Sequence, residues 1–493
     1  MTQAPWAPPM PTVPSHRILR KMWPDRGRTM PLESAGLAIA AGSAAAVLVP
    51  AGPPGIGLFA VGLLVAAAAV PAARGRIGPH ELGYGLLALL STVVVVVRDA
   101  GWVVGLCLLA ATGLGSYALA GGRTLVGTAL GCASLPFAAL RSAPWVSRRV
   151  RRHAPTHSGA WVAVLRATAT TVGLLVVFGA LFASADAAFS SLLPEVDLGV
   201  LPLRVFLFGF FTAVACALAF LAAAPPRFDL LAPGPPRPAR MLEWTVPIAA
   251  LVGLFTVFVA VQMTTLFGGD DHVLRTAGLT HAEYARQGFG QLVTVTVLTL
   301  TVVSLTARKA PRDSRTARAV LRSLLGALCA LALVVVASAL HRLHLYEEAF
   351  GFTRLRLFMN VFETWLGLLL VLVMVAGIRL RATWLPRAVV ATGAAALLLL
   401  ASANPDAFVA DRNLARFEET GKLDAHYVSG LSLDAAPVLD RLPEPLRSCV
   451  LATARARLDG DAEHWAAWNV GRHRARSLLA DRPVDAGTTC QTL

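Results

Sequence analysis

The sequence predicts an all-α protein, a polytopic transmembrane helical bundle of about eleven spans, and three observations favour this class. First, 56% of the 493 residues are hydrophobic and only 15% are charged, whereas soluble domains carry about a quarter charged residues. Second, the mean hydropathy is +0.62. Third, the apolar residues fall in runs of roughly 18 to 24, which is the length needed to cross a hydrocarbon core of about 30 Å. Most of the chain is therefore expected to lie in a membrane.

Eleven apolar runs have the length of a span. They cover residues 34–50, 55–70, 82–97, 102–119, 161–182, 201–223, 244–266, 288–305, 320–340, 357–378 and 384–401. A further apolar stretch, 124–140, contains Gly131 and Pro136 and precedes the most basic loop of the chain. We predict that this stretch is interfacial or re-entrant and does not cross.

The distribution of Arg and Lys predicts the orientation. If 124–140 does not cross, most loop cations fall on one face, including the run of arginines at 148–152, and few fall on the other. Cytoplasmic loops carry the excess of positive charge, so the N-terminus is expected inside and the C-terminus outside. Counting 124–140 as a twelfth span would invert half of the chain.

Five segments follow from this topology. Residues 1–32 form a cytoplasmic, Pro- and Arg-rich N-terminal segment, 33–140 a four-span module with the re-entrant stretch, and 141–160 a basic cytoplasmic loop. Residues 161–401 form a seven-span core, and 402–493 form a soluble helical tail, expected to be extracytoplasmic. In the tail we predict helices at 406–420, 444–458 and 461–479; the first two end at Gly421 and Gly460, because glycine accepts the left-handed conformation at a helix end.

The six cysteines divide into two groups. Cys107, Cys132, Cys216 and Cys329 lie in apolar segments and are expected to behave as small buried hydrophobes. Cys449 and Cys490 both lie in the tail. If the tail is outside, its compartment permits a disulfide between them.

Four distinctive segments carry a family resemblance. They read LFASADAAF (181–189), GLTHAEYARQGFGQL (278–292), YEEAFGFTRLRL (346–357) and ADRNLARFEETGKLDAHYVSGLSLDAAPVL (410–439). Their order and spacing resemble an uncharacterised bacterial membrane-protein family, domain of unknown function 4173, which is related to domain of unknown function 4153. The likeness covers roughly residues 161–439, leaves the first four spans outside, and implies the architecture without an established activity.

All four segments are expected on the outer face, which suggests a joint functional surface; the alternative is that they pack together merely to satisfy helix ends. The candidate residues of this surface are Asp186, Asp270, Asp271, Tyr284, Arg286, Arg354, Arg356 and Glu363.

Each candidate has a functional and a structural interpretation. Asp270 and Asp271 could hold a divalent cation, although no standard metal spacing accompanies them. Arg354 and Arg356 could bind a carboxylate or phosphate, or pair internally with an aspartate such as Asp186. Tyr284 and Arg286 sit at the start of a span.

Glu363 is an acid well inside a span, which indicates a proton or cation pathway. Its structural interpretation is that the neighbouring Asn360, Thr364 and Arg356 satisfy it.

No nucleotide-binding, dinucleotide-binding, serine-hydrolase or kinase motif occurs, so we predict no cofactor, no catalytic residue and no metal site. The leading hypothesis is a multi-pass protein of a bacterial cytoplasmic membrane that binds or assembles envelope components through its outer face. Its expected partners are membrane lipids and an envelope protein, not nucleic acid. The alternatives are a secondary transporter, favoured by Glu363 and Gln262, and an enzyme acting on a lipid-linked substrate.

Overall fold

The computed structural model describes residues 21–23, 29–75, 77–153, 199–232, 234, 240–267, 289–380, 382–460 and 464–485, with isolated positions between 167 and 178. Every regular element in these ranges is helical. The helices of the membrane part are α1 (Leu32–Leu48), α2 (Ile56–Ala73), α3 (Pro79–Val97), α4 (Gly101–Ala120), α5 (Leu125–Cys132), α6 (Ser134–His153), α7 (Leu201–Ala223), α8 (Met241–Phe267), α9 (Phe289–Lys309), α10 (Arg315–Phe350), α11 (Arg354–Arg379) and α12 (Leu385–Ser402).

Nine of the described helices are long and apolar enough to cross a membrane, and they coincide with nine of the predicted spans. They are α2, α3, α4 and α7 to α12. The first predicted span corresponds to α1, which is apolar but only 17 residues long. The predicted span 161–182 lies outside the described residues apart from isolated positions. The helical membrane bundle is thus confirmed, whereas the count of eleven and the orientation stay predictions.

The doubtful stretch 124–140 forms two helices, α5 and α6, which meet at an angle of 65°. The carbonyl of Gly131, exposed by this break, accepts hydrogen bonds from the hydroxyls of Ser116 (2.7 Å) and Ser134 (3.0 Å). The start of α5 is capped by the Thr124 hydroxyl, which accepts from the amide of Gly127 at 2.9 Å. The break is therefore stabilised by polar groups, as a broken span or a re-entrant pair requires.

The membrane helices form two packed groups. In the first, α7 packs against α1 and α2 through small residues such as Ala41, Ala45 and Ala68, which are fully buried. A side chain on Gly42 would clash with the Phe208 carbonyl oxygen, 2.6 Å from the Cβ position. Small residues at such contacts let the helix backbones approach closely. In the second group, α10 packs against α8, α9 and α11 around a core that includes Leu328 and Leu370.

The tail forms a small helical unit with its own core. Its helices are α13 (Pro405–Thr420), α14 (Ala425–Ser429), α15 (Ala436–Leu439), α16 (Leu446–Gly460) and α17 (Val470–Asp481). Gly421 ends α13 with a left-handed φ of 69°, as its position predicts. The helix predicted over 461–479 begins only at Val470, because the Asn469 side chain caps it there and a short 3₁₀ turn, Trp465–Ala467, precedes it.

A cysteine-accessibility experiment tests the predicted orientation. We expect a membrane-impermeant maleimide to label Glu419→Cys, an exposed position on α13, in intact cells. Asp313→Cys, exposed at the opposite end of the bundle, should be labelled only after lysis, because the basic loops at that end favour the cytoplasm. The reverse pattern would place the tail inside the cell and overturn the orientation.

Candidate functional site

The tail packs onto one end of the membrane bundle, which we call the tail face. This face consists of the loops at 49–55, 98–100 and 351–353 together with residues 403–404 after α12. The four segments are far apart in sequence, and all join helix ends. Because helix ends leave backbone N–H and C=O groups without intrahelical partners, the tail contacts are mostly polar.

Asp406, in the first turn of α13, is the most enclosed group of this contact. Its carboxylate is fully buried and accepts four hydrogen bonds. Arg354 of α11 donates through Nε (2.9 Å) and Nη2 (2.5 Å), the Trp102 indole of α4 donates at 3.0 Å, and the Ser432 amide donates at 2.8 Å. A single carboxylate thus joins two membrane helices to two parts of the tail.

Arg354 and Trp102 also determine the protonation of Asp406. Burial alone raises the pKa of this carboxyl, but the hydrogen bonds from Arg354 and Trp102 outweigh it and hold the pKa below its usual value. Asp406 is therefore ionised at neutral pH, and its charge is matched by the guanidinium of Arg354. The stability that it contributes is lost as the pH falls through that lowered pKa.

A second polar cluster lies around Asp99, between α3 and α4. Its carboxylate accepts from Arg472 of α17 at 2.5 Å and from the Leu433 amide at 3.1 Å. Conversely, Asp434 of the tail accepts from the amides of Asp99 (2.7 Å) and Ala100 (2.9 Å) at the start of α4. The tail therefore supplies an acceptor for the two amides that precede α4, a membrane helix that has no side-chain cap of its own.

Asp434 has an unusual pKa. Burial raises the pKa of its carboxyl to about 6, and the nearby negative charge of Asp99 adds to the rise. Hydrogen bonds from the backbone N–H groups of Ala100 and Asp99 act in the opposite direction. The docked tail therefore binds this proton more tightly than the undocked tail does.

Asn469 connects a helix start in the tail with a helix end in the membrane part. Its side-chain oxygen caps α17 by accepting from the Gly471 amide at 2.8 Å, and its Nδ2 donates to the carbonyls of Val95 (2.8 Å) and Arg98 (2.9 Å). Arg98 in turn donates to the carbonyls of Ala401 and Ser402 at the end of α12, both at 2.7 Å. These contacts satisfy carbonyl groups that α3 and α12 leave unpaired.

Two of the four distinctive segments meet on the tail face. Asn413, from 410–439, accepts from the Phe352 amide (3.1 Å) and donates to the Phe352 carbonyl (2.9 Å), within 346–357. Arg416 donates to the carbonyls of Glu348 and Ala349. Gly351 has a φ of 80° and lies so close to Asn413 that a Cβ would be 2.5 Å from its side-chain oxygen. Only glycine fits there.

The predicted surface residues are only partly within the described structure. Arg354 pairs internally, and its partner is Asp406. Arg356 donates to the Gly351 carbonyl and lies over the Tyr346 ring at 4.2 Å. Five candidates lie outside the described residues: Asp186, Asp270, Asp271, Tyr284 and Arg286.

Glu363 is fully buried in α11, about 14 Å along the helix from Arg354. Among the described residues, neither of its oxygens has a hydrogen-bond partner. Thr296 of α9 is close enough to interact with it, but that hydroxyl donates to the Leu292 carbonyl instead.

The structural interpretation of Glu363 is therefore wrong. Asn360 donates to Glu347 at 2.7 Å, and Thr364 donates to the Asn360 carbonyl at 2.7 Å. The guanidinium of Arg356 is bound to the Gly351 carbonyl. Each of the three groups that were expected to satisfy the carboxylate is engaged elsewhere.

A cavity of about 420 Å³ lies between α8, α9 and α10. Its wall is mostly apolar, with Gln262, Gln291 and Arg342 as the polar residues. Gln262 accepts from Arg342 at 2.8 Å and from Ser338 at 3.3 Å. In the part of the chain that the structure describes, no group of His, Cys, Asp and Glu could hold a metal ion.

The cysteines follow their sequence context where they are described. Cys107, Cys132, Cys216 and Cys329 are free thiols. Cys449 is disulfide-bonded. Cys490 lies outside the described residues, so the pairing of these two cysteines stays a prediction.

We expect Asp406→Asn to destabilise the docked tail by about 3 to 5 kcal/mol, because it leaves a partly buried guanidinium without its carboxylate. The matched control is Asp411→Asn, which removes an ion pair with Arg441 in which both side chains are more than half exposed. That change should cost less than about 1 kcal/mol. Thermal unfolding and protease resistance of the tail in detergent measure the stability loss in both variants. An equal loss in the two variants would contradict the role of Asp406 in holding the tail.

The raised pKa of Asp434 predicts that the stability of the docked tail depends on pH. Its folded-state pKa is raised, so its contribution is fully present below the ordinary carboxyl pKa of about 4 and is lost as the pH rises through about 6. The loss is at most roughly 3 kcal/mol. Asp434→Asn keeps an acceptor oxygen for the amides of Asp99 and Ala100 and removes the charge. We expect the variant to gain thermal stability over the wild type as the pH rises from about 4 to about 6; a difference that does not change with pH would refute this.

Comparison with known proteins places the chain in a family without an established function. A family model described as "Domain of unknown function (DUF4153)" matches residues 85–442. The match begins within α3, so the expectation that all of the first four spans lie outside the family is wrong; the label 4173 is not confirmed. No curated protein and no solved structure matches the chain. The chain belongs to the family of domain of unknown function 4153.

Proposed function

We propose that this chain is a non-enzymatic protein of a bacterial cytoplasmic membrane, and that its tail-covered face is a binding or assembly surface of the cell envelope. The observation that supports this most is the fully buried Asp406, which joins the tail to α4 and α11. Buried polar contacts have strict geometry. The tail therefore presents one fixed outer surface, as a protein that holds a partner needs.

The charge distribution supports this orientation. The end of the bundle opposite the tail carries basic residues such as Arg123, Arg227 and Arg312, which favour the cytoplasmic side. The last turns of α6, with Arg148 and Arg149, would attract anionic lipid headgroups there. Lipids and an envelope protein are the partners that we propose, and nucleic acid is not among them.

Site-specific photo-cross-linking in living cells tests this proposal. A photoreactive phenylalanine analogue would replace Glu419 or Asp459, both exposed in the tail, and Asp313 at the opposite end serves as the matched control. We expect a discrete protein adduct from the tail positions and none from Asp313. The adduct should weaken when Asp406→Asn is added, although the chain still inserts. Identical adducts from all positions, or none from the tail, would count against a binding face.

A second candidate function, secondary transport, is favoured by Glu363. An unpaired carboxylate within a membrane helix is costly and marks a proton or cation pathway by default. The cavity lined by Gln262 and Arg342 lies in the same group of helices. The enzyme alternative, for which Asp186 or Asp270 would act as a base or a metal ligand, has no comparable support, because both residues lie outside the described structure.

A measurement of proton flux tests the transport function. In vesicles with an imposed membrane potential, the wild type should move protons, and Glu363→Gln should reduce the flux at least about tenfold, because an amide does not carry a proton at this depth. Glu348→Gln is the control, since that carboxylate is exposed on α10 and pairs with His344. If all three proteins show only the leak of empty vesicles, transport of protons is excluded.

A further inference from the structure

The short segment 464–468, which we call the tryptophan loop, is fastened to the start of the membrane helix α2. The amide of Ile56, the first residue of α2, donates to the Trp468 carbonyl at 3.0 Å. Arg472 donates to the carbonyls of Ala467 (2.8 Å) and Pro54 (2.5 Å), one on each side of the contact. These bonds hold the tryptophan loop at the level where α2 begins.

The loop also extends along the side of the first turn of α2. A Cβ built on Gly57 would lie 2.7 Å from the Ala466 Cβ, and one built on Gly55 would lie 2.5 Å from the Trp468 carbonyl oxygen. Both glycines are needed for this approach. Gly57 is the second residue of α2, so Ala466 contacts the first turn of this helix.

The two indoles of the loop point away from this contact. Ala466 and Ala467 are buried, whereas Trp465 is 61% exposed and Trp468 is 44% exposed. Exposing two large apolar rings to water on a rigid loop is unfavourable. Tryptophan is enriched at the boundary between lipid and water, where its ring and its N–H group are both accommodated.

Polar side chains follow the loop at the start of α17. The ring of His473 lies against that of Trp468, tilted by 39°, with 6.2 Å between ring centres. Arg474 follows it and is exposed. An exposed arginine this close in sequence to the loop is suited to the negative phosphates of a membrane surface.

We propose that the tryptophan loop is a membrane-interface anchor of the tail, with the indoles of Trp465 and Trp468 inserted among lipid headgroups. The occupant of this surface is lipid, because the loop is fixed at the depth of a helix end and contacts the first turn of α2 directly, while its two indoles stay exposed. The proposal goes beyond the binding function above and does not depend on it. It requires only that α2 crosses the membrane.

Depth-dependent fluorescence quenching tests the anchor. Trp465→Cys, carrying an environment-sensitive fluorophore, is reconstituted as the full-length chain in phosphatidylcholine vesicles that contain phosphatidylglycerol. The matched control is Asp459→Cys, exposed on α16, which packs against other tail elements. The four cysteines that are free thiols among the described residues lie in the membrane part, and three of them are buried.

We expect the label at 465 to be quenched by lipids with a nitroxide near the headgroup, at least about twofold more than the label at 459. A cobalt ion in the aqueous phase should instead quench the label at 459 more than the label at 465. If 465 behaves like 459, the loop faces water and the anchor is refuted. If 465 is protected from both quenchers, protein covers the loop, and the lipid assignment is refuted as well.

A second variant tests the anchor without a cysteine substitution at residue 465. Trp465→Phe combined with Trp468→Phe keeps apolar rings and should fold as the wild type does, as protease resistance of the tail would show. The nitroxide-sensitive part of the intrinsic tryptophan fluorescence should fall in this variant. An unchanged nitroxide-sensitive part would contradict the proposal.

Discussion

The contact between Asp406 and Arg354 is the constraint on which the tail face depends. A carboxylate removed from water is costly unless charge and hydrogen bonds replace its hydration. Arg354, Trp102 and Ser432 supply them together. The start of α13 is therefore buried against α4, α11 and the Ser432 segment at once. These contacts couple docking of the tail to the arrangement of the helix ends.

The other tail contacts supply hydrogen bonds to backbone groups at helix ends, which are also costly to bury without partners. Membrane helices end with unpaired N–H and C=O groups, and at this face the tail supplies partners for them: Asp434 for α4, Asn469 for α3, and Trp468 for α2. The face is thus closed by specific polar groups, together with apolar contacts of Phe352 and Leu357 with the tail core. These contacts fix the described tail residues against the helix ends, and the tryptophan loop contacts the first turn of α2.

Much of the architecture could be predicted from the sequence, because hydrophobic run length and the need to satisfy the backbone in lipid leave few alternatives. Nine spans and the end of α13 at Gly421 follow from these rules. The site could not be predicted, because its partners are separated by 52 residues for Arg354 and Asp406 and by 335 for Asp99 and Asp434. Neighbours in sequence were misleading for Glu363, since Asn360 and Arg356 are one or two turns away but bind other groups. Asp406, Asp434 and Asn469 belong to residue types that are common at helix starts, so nothing in their local sequence marks them. The one signal is that Asp434 lies within the distinctive segment 410–439 and Asp406 just before it.

Hydrogen exchange of the full-length chain in lipid nanodiscs tests the central claim most directly, namely that the tail is part of the membrane bundle. If Asp406 and its partners unite the two, amides of α13 and α17 should exchange as slowly as those at the adjoining ends of α4 and α11, and at similar rates to one another. If α13 to α17 exchange together and much faster than those helix ends, the tail opens as a separate domain, and the account of a fixed tail face is wrong.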